Sequence, residues 1–243
     1  MQNSGSGPNL DKPAKPRGRP RAFDRRAALA QATRLFWLKG YEATSIADLT
    51  QAIGIGAPSL YAAFGSKDAL YAEALSYYGE TYEHQVWGGF HAARTAREAI
   101  TAFLMDSAAA LTGSLADHPL GCMVTLSSVG SEGHCELGKL VQAARAVTFD
   151  RLKTRLSQGV ADNEWPDDLD VAGLARLLQS VQAGMSILAR DGASRAELES
   201  VARAALRTLD ASHHERGVPE APSGGRTGLR SEEKNPNIGG VGD

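Results

Sequence analysis

The sequence predicts an all-α protein. Alanine-rich stretches repeat apolar residues at helical spacing, and β-branched alternation is scarce. Helix breakers cluster sharply in one place, IGIGAPSLYAAFGSKDAL at residues 53–70, which marks short helices with tight turns rather than a sheet. The chain of 243 residues is 42% apolar, enough for one large domain or two modest ones.

About nine helices are expected from the periodicity. The first starts at Asp24 as N-cap and runs to Lys39, with Gly40 as its stop and Ala28, Leu29, Ala32, Leu35 and Phe36 on its apolar face. The second follows Thr44 and ends at Gly54. Its Ser45 and Asp48 stand in capping-box spacing. The third opens at Ala57-Pro58, where a first-turn proline loses no hydrogen bond, and ends at Gly65. A fourth starts at Ser66 and turns Leu70, Ala74, Leu75, Tyr78, Tyr82 and Val86 inward. Further helices fit residues 95–116, 119–130, 134–158, 168–191 and 194–210, separated by proline, glycine and acidic breaks.

Four regions follow. Residues 1–22 are a flexible basic arm rich in Gly, Pro, Ser and cations, and residues 213–243 a disordered tail. Residues 23–68 and residues 69–212 make two helical domains between them. The net charge of −2 is divided unevenly. Residues 1–70 hold 10 Lys or Arg against 5 Asp or Glu, and the remainder is acidic. That asymmetry fits a nucleic-acid contact at the N-terminal end as well as a solvated charged tail. No apolar run approaches the ~18 residues of a membrane span. The polar N-terminus lacks an apolar leader core, and two cysteines do not make a disulfide framework, so a cytoplasmic protein is expected.

The breakers between helices two and three build a helix-turn-helix. Gly54-Ile55-Gly56 supplies the turn, because glycine adopts positive φ at little cost. Ile46, Leu49, Ile53 and Leu60 fasten the two helices from inside. Helix three then presents a small outward face of Ala57, Ser59, Tyr61, Ala62 and Ala63 that fits the floor of a DNA major groove, with Pro58 counted among the expected DNA contacts. Thr44 and Ser45, at the start of helix two, suit a phosphate. Lys67 lies in the first turn of helix four, where a cation gains nothing from the helix dipole, and is expected to face an external anion.

The segments Thr44-Ser45-Ile46-Ala47-Asp48-Leu49, Gly54-Ile55-Gly56-Ala57-Pro58-Ser59-Leu60-Tyr61 and Phe64-Gly65-Ser66-Lys67-Asp68-Ala69-Leu70 resemble the DNA-binding signature of the tetracycline-repressor (TetR/AcrR) family. Leu35-Phe36-Trp37-Leu38-Lys39-Gly40-Tyr41 is similar to its preceding helix end. The likeness spans roughly residues 24–70. It implies a dimeric regulator, usually a repressor that a small molecule releases from its operator, with Thr44, Ser59, Tyr61 and Lys67 at positions that contact DNA. Ala57 departs from the pattern, being often a longer polar residue, and this points to further readout elsewhere. Arg17, Arg19 and Arg21, in PRGRPR, resemble an AT-hook core suited to a narrow A·T minor groove; a non-specific electrostatic tether is the alternative.

Two further tasks fall to the second domain. Helix 168–191 has one apolar face of Val171, Leu174, Leu178, Val181, Met185 and Leu188, directed to its own subunit. A second, small-residue face of Gly173, Leu177, Ser180, Gly184 and Ile187 is directed to a partner helix. With Leu198, Val201, Ala205 and Leu209 of the last helix it would make a four-helix dimer interface, an intramolecular bundle being the alternative. A homodimer would place two recognition helices roughly 34–36 Å apart on one palindrome. The expected effector pocket is lined by Trp87, Phe103, Leu104, Cys122, Met123, Leu126 and Val147. The stretch Pro119-Leu120-Gly121-Cys122-Met123-Val124 resembles a Gly-Cys stretch in a branch of the family, some of whose members sense electrophiles or oxidants. Near a helix start the Cys122 thiol would be acidified; a space-filling buried thiol is the plain alternative. His118, Cys122, His134 and Cys135 match no metal-ligand spacing, so neither a metal nor a cofactor is expected. No enzyme is expected, because Cys122 has histidines nearby in sequence but no orienting third group. A DNA-packaging role would call for a strongly positive chain.

Overall fold

The computed structural model describes residues 23–214, and all their regular structure is helical. The elements are α1 (Arg25–Lys39), α2 (Ile46–Ile53), α3 (Ala57–Phe64), α4 (Lys67–Ala92), α5 (Ala96–Leu111), α6 (Cys135–Ala161), α7 (Val171–Arg190) and α8 (Arg195–His214). Arg17, Arg19 and Arg21 lie outside the described residues, as does the chain from 215 onward.

The first helices stop where local chemistry requires. The Asp24 side chain accepts from the amides of Arg26 and Ala27, and Gly40 ends α1 at φ 83°. Ser45 and Asp48 close a full capping box on α2, and Gly54 ends it in the left-handed region at φ 78°. A head of α1–α3 and the start of α4 encloses Ala32, Phe36, Leu49, Leu60, Phe64, Leu70 and Tyr71. The body packs α5 against α4, α7 and α8 around Ile100, Phe103, Leu104, Leu178, Met185, Leu198 and Leu209. Helix α4 belongs to both. At 26 residues it is about 39 Å long.

The head core does not stop at the expected domain boundary. Met123, Val129, Leu137 and Val141, from the segment before α6 and from α6 itself, complete it. The two domains therefore share apolar surface, and the head is packed onto the body as well as tethered to it.

One predicted helix is absent. Residues 119–130 form turns rather than a helix, so the described residues carry eight helices, not nine. Gly121 has φ 74°, which right-handed helical geometry excludes. A Cβ there would also meet Leu126 at 2.6 Å and the Ser186 carbonyl at 2.8 Å. The segment is held instead by Arg145, which donates to the carbonyls of Val124 (3.1 Å), Thr125 (3.0 Å) and Ser127 (2.5 Å). The dimer assignment on α8 is also corrected. Leu198, Ala205 and Leu209 are buried in their own subunit, and Val201 packs half-buried on the same core. The apolar stripe of α8 is consumed by α5 and α7.

Asp48 links α2 to α1. Its carboxylate accepts from Lys39 Nζ at 2.9 Å and from the Ser45 amide at 2.9 Å, which together hold its pKa at about 2 against an ordinary 3.8. Because the folded value is depressed, this stabilisation is complete above about pH 4 and is lost as pH falls toward 2. The stability difference between wild type and D48N, from urea midpoints, is therefore expected to shrink over that interval.

Candidate nucleic-acid interface

Helix α3 stands on a narrow apolar base. Leu60 is 1% exposed and Phe64 4%, while Leu49 of α2, at 0%, braces them from behind. The opposite face carries Pro58, Ser59, Tyr61 and Ala62, all exposed, with Tyr61 at 46%. Ala57 is half-buried at the helix start. Arg25 supports the rear of this unit. It donates to the Ala63 carbonyl at 3.2 Å, pairs with Glu73 at 2.8 Å and lies 4.6 Å from the centre of the Phe64 ring. One cation thus joins α1, α3 and α4.

Other candidates on the head divide. Ser45 is exposed, but its hydroxyl and amide serve the capping box. Thr44 is wholly buried, and its hydroxyl donates to the Gly40 carbonyl at 2.6 Å. Its side chain secures the α1–α2 turn and does not reach the surface. Lys67 is half-buried with its ammonium 4.2 Å from the centre of the Tyr41 ring, whose hydroxyl donates to Asp68. The expectation that Lys67 projects outward gives way to this cation–π contact, because an aromatic face lies within the lysine's reach. Burial, then Asp68, pushes the Tyr41 phenol well above its usual range.

Where head meets body, a junction forms that the sequence did not disclose. Trp37 Nε1 donates to the Gly121 carbonyl at 3.1 Å, and the Trp37 ring stacks on His118 with centroids 4.8 Å apart. The Cys122 amide donates to Ser186 Oγ of α7 at 2.8 Å. The Tyr78 hydroxyl of α4 donates to Cys122 Sγ at 3.3 Å. Burial first, and then Cys122, raises the Tyr78 phenol. Cys122 thus lies in a turn rather than at a helix start. Arg190, at the end of α7, donates to the carbonyls of Leu120, Leu38 and Trp37. Only a hint of this was legible: an indole near the end of α1 needs a partner for its N–H. The arginine's partners on α1 are about 150 positions away in sequence.

The expected effector residues do not converge. Trp87, Phe103 and Leu104 are close-packed in the body core. Met123 and Leu126, with Phe36, Trp37, Tyr71 and Arg190, line a cavity of about 220 Å³ between head and body. Cys122 is half-buried beside it in sequence, and Val147 is 44% exposed on α6, so it lines nothing. On α7, Gly173, Leu177, Ser180 and Ile187 are exposed and Gly184 has open space beyond its Cα. Leu188, expected inside, is 44% exposed and extends that face. Among the described residues no helix is long and apolar enough to cross a membrane, and no three His, Cys, Asp or Glu side chains are grouped to hold a metal.

Comparison with known proteins agrees with this geometry. The family model "Bacterial regulatory proteins, tetR family" matches residues 28–74, from within α1 into α4. The HTH-type transcriptional repressor ComR of Escherichia coli (strain K12) is 37% identical over 198 residues, 79% of this chain and 92% of its own length. The chain belongs to the tetR family. Another E. coli member, the repressor BdcR, is 49% identical over 61 residues, 25% of this chain and 31% of that one. A solved structure of the TetR family regulator CifR, a variant with three cysteines replaced and bound to 26-bp operator DNA, is 37% identical. It superimposes with a TM-score of 0.72, covering 78% of this chain and 98% of that one. This TetR-family protein is therefore a DNA-binding transcriptional regulator. Its relatives are regulators and not enzymes, which removes the thiol-enzyme reading.

For this regulator, two substitutions should separate surface from support. T44V leaves the Gly40 carbonyl short of its donor and is expected to cost about 0.5–1.5 kcal/mol in chemical denaturation. Y61A, on an exposed side chain, is expected to stay within about 0.5 kcal/mol of wild type while weakening DNA binding in fluorescence anisotropy.

Proposed function

We propose that this TetR-family regulator is a homodimeric repressor that grips a palindromic operator through α3 and releases it when an effector binds. The observation that carries the reading is the exposed Pro58–Ser59–Tyr61 face on a helix whose other side is buried to within a few per cent. That face is small enough for the major groove, and Ser59 and Tyr61 supply hydrogen-bonding groups for base edges or phosphates. The name of ComR and the operator-bound form of CifR support repression and duplex DNA as partner. Contact with chromosomal DNA would place its work in the cytoplasm. Two copies meet through α7, where Leu177, Ile187 and Leu188 expose large apolar side chains around the open Gly184. The arm adds Arg17, Arg19 and Arg21 in the minor groove. Selecting bound fragments from genomic DNA, then scrambling one arm of the recovered palindrome, tests the reading: a loss in affinity is expected, and equal affinity for random duplex contradicts it. Deleting residues 1–21 should reduce the log–log salt slope by about 0.9 for each phosphate that the arm neutralises.

The effector is a small molecule or a reactive species. One observation favours the reactive reading. Cys122 is tied by its thiol to α4 and by its amide to α7, one residue after the carbonyl that Trp37 holds. Alkylation of Sγ by a maleimide, which forms a C–S bond and transfers the thiol proton to the maleimide double bond, would remove the Tyr78 bond and crowd the turn. Treated C135S protein is expected to lose the operator in a gel shift while C122S C135S keeps it. Equal loss in both would dismiss Cys122 as sensor.

A further inference from the structure

We propose that Arg190 is the positioning residue for operator binding: it locks the DNA-binding head at a fixed tilt to the helix that pairs the subunits. The inference rests on the dimeric operator-binding reading above and adds the device that sets the spacing of the two α3 helices.

The head joins the body covalently only through α4. The shared core at Met123, Val129, Leu137 and Val141 and the Arg34–Asp117 pair also hold the two together. Arg190 adds the attachment that comes from α7, the helix of the dimer face. Its Nη2 donates to the Trp37 carbonyl at 2.9 Å and its Nη1 to the Leu38 carbonyl at 3.1 Å. Both oxygens belong to the last turn of α1, where helical geometry leaves carbonyls without intrahelical donors and the dipole favours a cation. Nε donates to the Leu120 carbonyl at 3.0 Å. One planar guanidinium thus binds the end of a head helix and a body turn at once, in a fork that lysine cannot reproduce.

The support is stiff on the body side. One turn before Arg190, Ser186 Oγ accepts from the Cys122 amide, and Gly121 fits so closely that a Cβ would strike Leu126 and Ser186. From the head side, the Trp37 indole returns a bond to the Gly121 carbonyl. Beside this the cavity of about 220 Å³, lined by Phe36, Trp37, Met123, Leu126 and Arg190 among others, leaves room for the end of α1 to swing once the fork is gone. Because Arg190 ends the same helix that exposes Leu177, Ile187 and Leu188, the latch refers the head directly to the dimer face.

R190M retains length and removes every donor; R190K retains charge without the fork. The first measurement needs no DNA. Nitroxides at S59C and K153C, in a C122S C135S background diluted with unlabelled protein, report the head-to-body distance by pulsed electron resonance. One narrow distribution is expected for the parent, a broad one for R190M, and an intermediate one for R190K. The second uses the palindromic duplex recovered by selection and a duplex with one arm scrambled. R190M should bind the palindrome at least about fivefold more weakly. It should bind the single half-site unchanged and tolerate one added central base pair better than wild type. An unchanged distance distribution overturns the latch, as does an equal loss on both duplexes accompanied by a lower melting temperature, which would mark Arg190 as structural only. If wild type fails to prefer the palindrome, the operator reading falls while the distance measurement still decides the latch.

Discussion

The structure depends on where α1 ends. Gly40 stops the helix and leaves its last carbonyls in need of donors, while the Phe36, Trp37 and Tyr41 side chains on the same two turns need burial. Both demands are met from beyond α1, in part from the body. Tyr71 of α4 packs edge-on against Phe36, with centroids 5.0 Å apart, Met123 fills the core from the body, and Arg190 supplies the donors. Had the turn after α1 been self-sufficient, the head would be a bead on a string. As built, its stability and its orientation come from the same contacts.

This arrangement explains the division of labour among polar residues. The head retains few uncommitted cations near α3: Arg25 joins three helices, Lys39 holds Asp48, and Lys67 lies over Tyr41. What remains for recognition is mostly small and neutral, namely Pro58, Ser59, Tyr61 and Ala62. On the reading proposed above, the arm's arginines would supply sequence-independent attraction and the compact face the shape fit.

The body shows a parallel economy. Its core is closed by α5, which is buried at ten of its sixteen residues and alanine-rich over residues 108–110, letting α4, α7 and α8 come close. With the apolar stripe of α8 spent inside, Leu177, Ile187 and Leu188 of α7 are left exposed. The turns of 112–134, which replace an expected helix, put backbone carbonyls within reach of Trp37, Arg145 and Arg190. A regular helix would have spent those carbonyls on itself. Irregular backbone is what allows one segment to be gripped from three helices.

Local chemistry made the DNA-binding head legible from sequence. Caps at Asp24 and Ser45, stops at Gly40, Gly54 and Gly65, and the buried spacing of Leu49 and Leu60 all act over a few residues, so the string of letters determined them. The same holds for the two-faced character of α7. Tertiary structure decided the rest. Thr44 and Lys67 look like DNA ligands by position, yet a nearby carbonyl and a nearby ring claimed them first. Leu198 and Leu209 carry the periodicity of an interface, but periodicity says only that a face is covered, not by which chain. Gly121 reads as an ordinary residue until its φ of 74° shows that no helix can pass through it. The junction at Trp37, Cys122, Ser186 and Arg190 gathers residues from distant parts of the chain, and such meetings are set by packing, which leaves no mark on local sequence.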